Sequence, residues 1–167
     1  MNNLDRNIQD RLTKLAYKRT IPFCMGCYIE APLNRCPSCF SDDLGRLKLG
    51  DGVSWGVQWV IESLIRENLT PVDLDEAFET SVRDCYPEVV RAAWMELDVV
   101  QVCKEIDPVS WSLSLSEWSD QEESEGLIVS FDHGATYFYT SDIERYLDEE
   151  ESKDSPYYDE AIQASAE

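Results

Sequence analysis

The chain has one histidine, seven glycines and seven prolines in 167 residues, and 14 basic residues against 34 acidic ones. Each shortage excludes something. With His133 as the single imidazole, beside Asp132 but with no nucleophile near it in sequence, acid–base catalysis lacks a second partner, and a turn role with Gly134 is the expectation. No stretch approaches the roughly eighteen apolar residues of a membrane helix. Met1 to Thr20 is polar and charged and lacks the apolar core of a signal peptide, so a cytoplasmic location is expected. P-loop, GxGxxG and HExxH motifs are missing, as is the deaminase pairing of HxE with PCxxC, and no enzyme activity is expected. A net charge of −20 repels nucleic acid and anionic membranes and attracts basic protein surfaces.

The charge is unevenly placed. Residues 1–50 hold eight basic residues (Arg6, Arg11, Lys14, Lys18, Arg19, Arg35, Arg46, Lys48) and five acidic ones, a balance of +3. The other 117 residues hold 29 acidic and six basic residues, a balance of −23. The acidity therefore belongs to the C-terminal body.

What is present in quantity is cysteine in pairs. Cys24-Met25-Gly26-Cys27 and Cys36-Pro37-Ser38-Cys39 are separated by eight residues. Each CxxC turn aims two thiolates at one point, and a short hairpin between them brings the pairs together. Four thiolates at about 2.3 Å complete tetrahedral Zn²⁺ and leave no open coordination position, so one structural zinc ion is expected as the cofactor. Iron in a four-thiolate site is the competing ion. A disulfide framework fits less well, because two CxxC pairs at this spacing seldom serve redox chemistry. Residues 22–45 resemble the zinc-ribbon superfamily, which serves nucleic-acid binders, protein adaptors and structural staples alike. The chain departs from the pattern after each second cysteine, where Tyr28 and Phe40 replace the usual glycine.

The remainder reads as an α+β protein: an N-terminal helix and small zinc ribbon, then a mainly helical body with a C-terminal β-hairpin and a final helix. Leu4, Ile8, Leu12 and Leu15 mark an amphipathic helix within residues 1–21, followed by the ribbon at 22–50. Gly50, Asp51 and Gly52 suggest a hinge to an acidic body at 51–151. That body begins with a helix from Ser54 to Asn68 whose buried stripe includes Trp55 and Trp59. A helix over 71–84 follows, then a strand from Val89 to Met95 with Trp94 buried, and a helix from Leu97 to Ile106. Asp107-Pro108 is a helix start, with Asp as N-cap and Pro in the first turn. Leu127–Phe131 and Ala135–Thr140, joined by Asp132-His133-Gly134, form the clearest hairpin. A last helix begins at Ser141-Asp142, and an acidic tail without period follows from Glu149, with 152–167 expected to be disordered. Cys85 and Cys103 fall within helices and read as small core residues.

Three carboxylate groups stand out as candidate partner-binding faces: Asp73, Asp75, Glu76 and Glu79; Asp120, Glu122, Glu123 and Glu125; and Asp142, Glu144, Asp148 and Glu149, with Glu150 and Glu151 beyond them. Spaced carboxylates can imitate nucleic-acid phosphates and compete for a basic groove. The expected partner is a basic, nucleic-acid-binding protein or complex, which the chain would bind and inhibit. The body is similar to small acidic proteins of bacterial plasmids, conjugative elements and phages, and that resemblance implies an anti-defence role against restriction or CRISPR complexes. The alternative is an adaptor whose basic N-terminal part contacts nucleic acid or the transcription machinery.

Overall fold

The computed structural model describes residues 4–153. Among them are six helices: α1 (Arg6–Lys18), α2 (Gln58–Asn68), α3 (Leu74–Cys85), α4 (Val99–Ile106), α5 (Pro108–Ser124) and α6 (Thr140–Lys153). The strands are β1 (Ile21–Cys24), β2 (Ile29–Glu30), β3 (Gly45–Lys48), β4 (Gly52–Ser54), β5 (Val89–Ala92), β6 (Met95–Asp98), β7 (Ile128–Ser130) and β8 (Tyr137–Tyr139). Small antiparallel sheets beside these helices make the chain α+β. The described residues gather into two compact units, residues 4–70 with 141–153, and residues 71–140.

In the first unit, Asp5 caps α1 by accepting the Asn7 N–H at 2.8 Å. The helix buries Ile8, Leu12, Leu15 and Ala16, one stripe at the 3.6-residue period. The chain then folds into one sheet of order β2-β1-β3-β4, with Cys24 opposite Ile29, Phe23 opposite Gly45, and Leu47 opposite Val53. Gly50 to Gly52 is the β3–β4 turn rather than a hinge, with Gly50 at φ 93° and Gly52 at φ 136°. This pairing also corrects the next helix. Gly52 to Ser54 is held as a strand, so α2 begins at Gln58, and Trp55 lies outside it, 52% exposed. α2 still buries Val60, Ile61, Leu64 and Ile65, and α6 contributes Ile143, Tyr146 and Leu147.

Ion pairs close this unit. Lys48, only 8% exposed, donates to Asp51 at 2.7 Å, Ser63 at 2.7 Å and Glu67 at 2.8 Å. Arg11 bonds Asp148 at 2.6 Å and Glu151 at 2.8 Å, and Arg19 pairs with the buried Glu150, which also takes Lys153 at 2.6 Å. The acidic segment expected to fray from Glu149 is thus helical through Lys153, and residues 154–167 lie outside the described residues.

In the second unit, Asp73, Asp98 and Asp107 cap α3, α4 and α5 with their carboxylates, and Pro108 stands in the first turn of α5. Phe78 packs on Trp111 and Trp118, with ring centroids 4.7 and 5.6 Å away. The single strand expected from Val89 to Met95 is a hairpin, β5–β6, turning at Ala93 (φ 57°), which places Trp94 at its tip, 90% exposed instead of buried. The β7–β8 hairpin forms where the sequence puts it. In its loop His133 is exposed at φ 61°, while Ser130 accepts the Gly134 N–H at 2.8 Å and Asp132 accepts the Thr136 N–H at 2.8 Å.

Glu150 gives a test of the ionic closure. Lys153, and after it Arg19, hold its carboxyl below the ordinary range against the burial that pushes it up. A lowered folded value means stability that is present above the unfolded value of about 4.3 and lost as pH falls through the folded one. Glu150→Gln should cost about 1–2 kcal/mol at pH 7, the partner cations being half-exposed and able to rehydrate. The gap between variant and wild type should close as urea denaturation is repeated from pH 7 towards pH 3; a gap independent of pH would refute the ion-pair account.

Candidate metal centre

The two CxxC segments are placed by different means. Cys24 ends β1 and is fixed by pairing with Ile29 across β1–β2, whereas Cys36 is fixed by its N–H, which donates to the Ser41 carbonyl at 2.8 Å. Both segments then make the same turn. The Tyr28 N–H returns to the Cys24 carbonyl at 2.8 Å, and the Phe40 N–H to the Cys36 carbonyl at 3.0 Å. The Cys27 N–H donates to the Cys24 Sγ at 3.4 Å, and the Cys39 N–H to the Cys36 Sγ at 3.5 Å.

The result is one cluster. The sulfurs of Cys24, Cys27, Cys36 and Cys39 lie within 4.8 Å of one another, and Cys24 Sγ is 3.7 Å from Cys39 Sγ. A tetrahedron with metal–sulfur bonds of about 2.3 Å has sulfur–sulfur edges of about 3.8 Å, so the spacing suits one four-coordinate ion. It does not suit a disulfide, whose bond is about 2.05 Å, and all four thiols are free. Chiefly through the N–H of Cys39, and against its burial, the Cys36 thiol is pulled down to about 6, whereas the Cys39 thiol, despite the Ser41 N–H that lowers it, is pushed up by Cys36 and Cys27, so that one sulfur of this pair ionises at the expense of the other. Cys24 and Cys36 are buried, which shields half of the donor set from water. The cluster is compatible with a zinc-ribbon-like site and could bind one zinc ion. An all-cysteine tetrahedron keeps no coordination position for substrate.

The aromatic residues that replace glycine carry a cost. Tyr28 (φ 57°) and Phe40 (φ 60°) both occupy the left-handed region, where a side chain is strained by about 1 kcal/mol or more. Neither is buried, at 75% and 65% exposure. Tyr28 recovers something by standing edge-on to Phe23, with ring centroids 5.1 Å apart, a contact worth about 0.5–1.5 kcal/mol. Gly45 in β3 must be glycine for a steric reason, because a Cβ there would meet the Ser54 carbonyl oxygen at 2.9 Å.

The candidate acidic residues are spread over both units. In residues 71–140, Asp73 is spent on the α3 cap, and Asp75 and Glu79 both hold Lys104, at 2.8 and 2.5 Å. Asp75 also accepts the Trp111 indole N–H at 3.2 Å. Glu76 and Asp120 are exposed, Glu122 is half-buried with its carboxyl pushed up by that burial, Glu123 is half-buried, and Glu125 accepts from Gln121 at 2.8 Å. On α6, Asp142 pairs with Arg145 and Asp148 with Arg11, while Glu144 and Glu149 are exposed. Cys85 and Cys103, expected in the core, are both exposed. Among the described residues no helix is long and apolar enough to cross a membrane. Comparison with protein-family models, curated proteins and solved structures gives no match for this chain.

Replacing the strained aromatics separates strain from contact. Phe40→Gly should stabilise the ribbon by about 1 kcal/mol, and Tyr28→Gly should be close to neutral, because relief of strain offsets loss of the Phe23 contact. Denaturation monitored by cysteine accessibility checks both. Gly45→Ala should destabilise the same sheet by about 1–3 kcal/mol, and an unchanged midpoint would contradict the close approach of β3 and β4.

Proposed function

We propose that the chain is a zinc-containing, non-enzymatic, cytoplasmic protein that binds a basic nucleic-acid-binding protein or complex and inhibits it, its carboxylates standing in for phosphates. The disposition of charge carries this reading. Residues 71–140 contain 16 acidic and three basic residues, a balance of −13. Those three are already tied to carboxylates of the same unit: Arg83 to Asp98, Arg91 to Glu96, and Lys104 to Asp75 and Glu79. The unit therefore offers a cationic surface strong attraction and offers nucleic acid none.

The adaptor alternative needs available cations in the N-terminal part. At least five of the eight basic residues there have internal partners. Arg11 and Arg19 hold α6, Lys48 holds Asp51 and Glu67, Arg46 lies 4.4 Å over the Tyr17 ring, and Arg35 donates to the Phe40 carbonyl. That observation favours the acidic reading. Zinc would supply the folding free energy that a four-strand sheet with two-to-four-residue strands lacks. Restriction and CRISPR complexes hold nucleic acid in basic grooves and are the proposed class of target, and the action would be anti-defence.

The test is capture from nuclease-treated bacterial lysate on the immobilised, zinc-loaded chain, eluted across a salt gradient. A nucleic-acid-binding protein that leaves at moderate salt, and is displaced by added duplex DNA or RNA, is the expected result. Direct retardation of DNA or RNA by the purified chain, abolished by substituting Lys14, Lys18 and Arg19 with Glu, would replace this reading with the adaptor.

A further inference from the structure

Unit 71–140 leaves much apolar surface in water. Tyr86, Trp94, Ile106, Val109 and Leu113 are between 60% and 90% exposed, whereas Phe78, Val100, Ile128, Val129 and Phe138 are its buried apolar side chains among the described residues. Scattered apolar residues mean little, but two of these, Tyr86 and Ile106, converge on one cavity. Helices α3, α4 and α5 border a cavity of about 610 Å³ lined by Phe78, Val82, Tyr86, Val102, Ile106 and Trp111, with Cys85 and Cys103 in its wall. The one charged residue in the lining, Asp107, is committed to the α5 cap through the N–H and hydroxyl of Ser110, at 3.0 and 2.7 Å. The cavity thus has no available charge with which to orient a small polar ligand.

Its surroundings are acidic. Asp75, Glu79 and Asp84 lie on α3 and Glu105 on α4, while the cations on these two helices are internally held, Arg83 by Asp98 and Lys104 by Asp75 and Glu79 beside the Trp111 ring. A second copy of this chain would bring the same negative charge, and nucleic acid would bring more, so both are repelled. Charge complementarity leaves a cationic occupant with an apolar side. A groove between helices of 12, eight and 17 residues accepts an amphipathic helix of about three turns, its apolar residues at i, i+3/i+4 and i+7 entering the groove.

We infer that the groove between α3, α4 and α5 is a docking site for a Lys/Arg-rich amphipathic helix of the partner protein. The inference rests on the proposed function and deepens it. Acidic residues of the unit steer the partner, and the groove supplies the apolar contact that distinguishes a matching helix from any other cation. Cys85 and Cys103 take no part in binding chemistry and serve as reporters, since an occupant covers them.

The probe is a fluorescein-labelled 14-residue Leu/Lys peptide with the amphipathic helical pattern, compared with a scrambled peptide of equal composition and a Leu/Glu counterpart. Binding to the zinc-loaded full chain is read by anisotropy, and alkylation of Cys85 and Cys103 by N-ethylmaleimide is read by peptide mass spectrometry. The patterned Leu/Lys peptide should bind tighter than its scramble, the Leu/Glu peptide should not bind, and alkylation of both thiols should slow several-fold. Ile106→Asp and Tyr86→Asp should each weaken binding by about tenfold or more, although each adds a negative charge that would by itself strengthen the hold on a cation. Both side chains stand in solvent, and unchanged far-ultraviolet circular dichroism verifies the fold. Equal or tighter binding by these variants, equal binding of the scramble, or unprotected thiols would overturn the groove while leaving the acidic-surface reading standing. Binding of neither cationic peptide would also overturn it, and the lysate capture then decides the broader reading on its own.

Discussion

Four sulfurs within 4.8 Å of one another can be thiolates together only if a cation neutralises them, and the cluster draws its residues from the N-terminal sheet and the loop beside it. β1 delivers Cys24 into the cluster, and β1 is also the strand that pairs with both β2 and β3. The loop from Cys36 to Ser41 has no strand of its own and depends on its turn hydrogen bonds and its thiols. The left-handed conformations of Tyr28 and Phe40 show how strictly the turns are set. Two aromatic residues accept an unfavourable backbone geometry so that two N–H groups can return to the cysteine carbonyls.

Charge organises the rest. The basic residues of the N-terminal part are used largely inside the molecule, Arg11 and Arg19 on α6 and Lys48 between Asp51 and Glu67. Those pairs absorb part of the acidity of α6 but leave that of residues 71–140 outward, where three internal cations meet 16 carboxylates. The same unit carries the exposed apolar groove. An acidic surface with an apolar slot suits selective recognition of a basic helix better than indiscriminate attraction of cations, because salt screens the first contribution and not the second.

Much of this could be read from the sequence where the signal is local. The cysteine spacing places the cluster, the Asp107-Pro108 pair starts α5 where the cap is found, and the periodicity of Ile8, Leu12 and Leu15 marks the buried face of α1. Signals that depend on distant pairing were not legible. Gly52 to Ser54 looks like the approach to a helix until β3 is beside it, and Trp55 consequently reads as core when it is exposed. Trp94 misleads for the related reason that a hairpin turn at Ala93, unmarked by Gly or Asn, lifts it off the body. Arg11 and Asp148 meet across 137 residues, and no local pattern announces such a pair. Cys85 and Cys103 sit on helices as expected, but which face of a helix is covered depends on neighbours that periodicity does not name.

The most direct measurement is the metal content of the purified, reconstituted chain by elemental analysis, made in parallel on Cys36→Ser and Cys85→Ser. One zinc per chain in the wild type and in Cys85→Ser, with loss of that zinc in Cys36→Ser, is the result this account predicts. Equal metal content in the wild type and Cys36→Ser, or no zinc in any of the three, would contradict it.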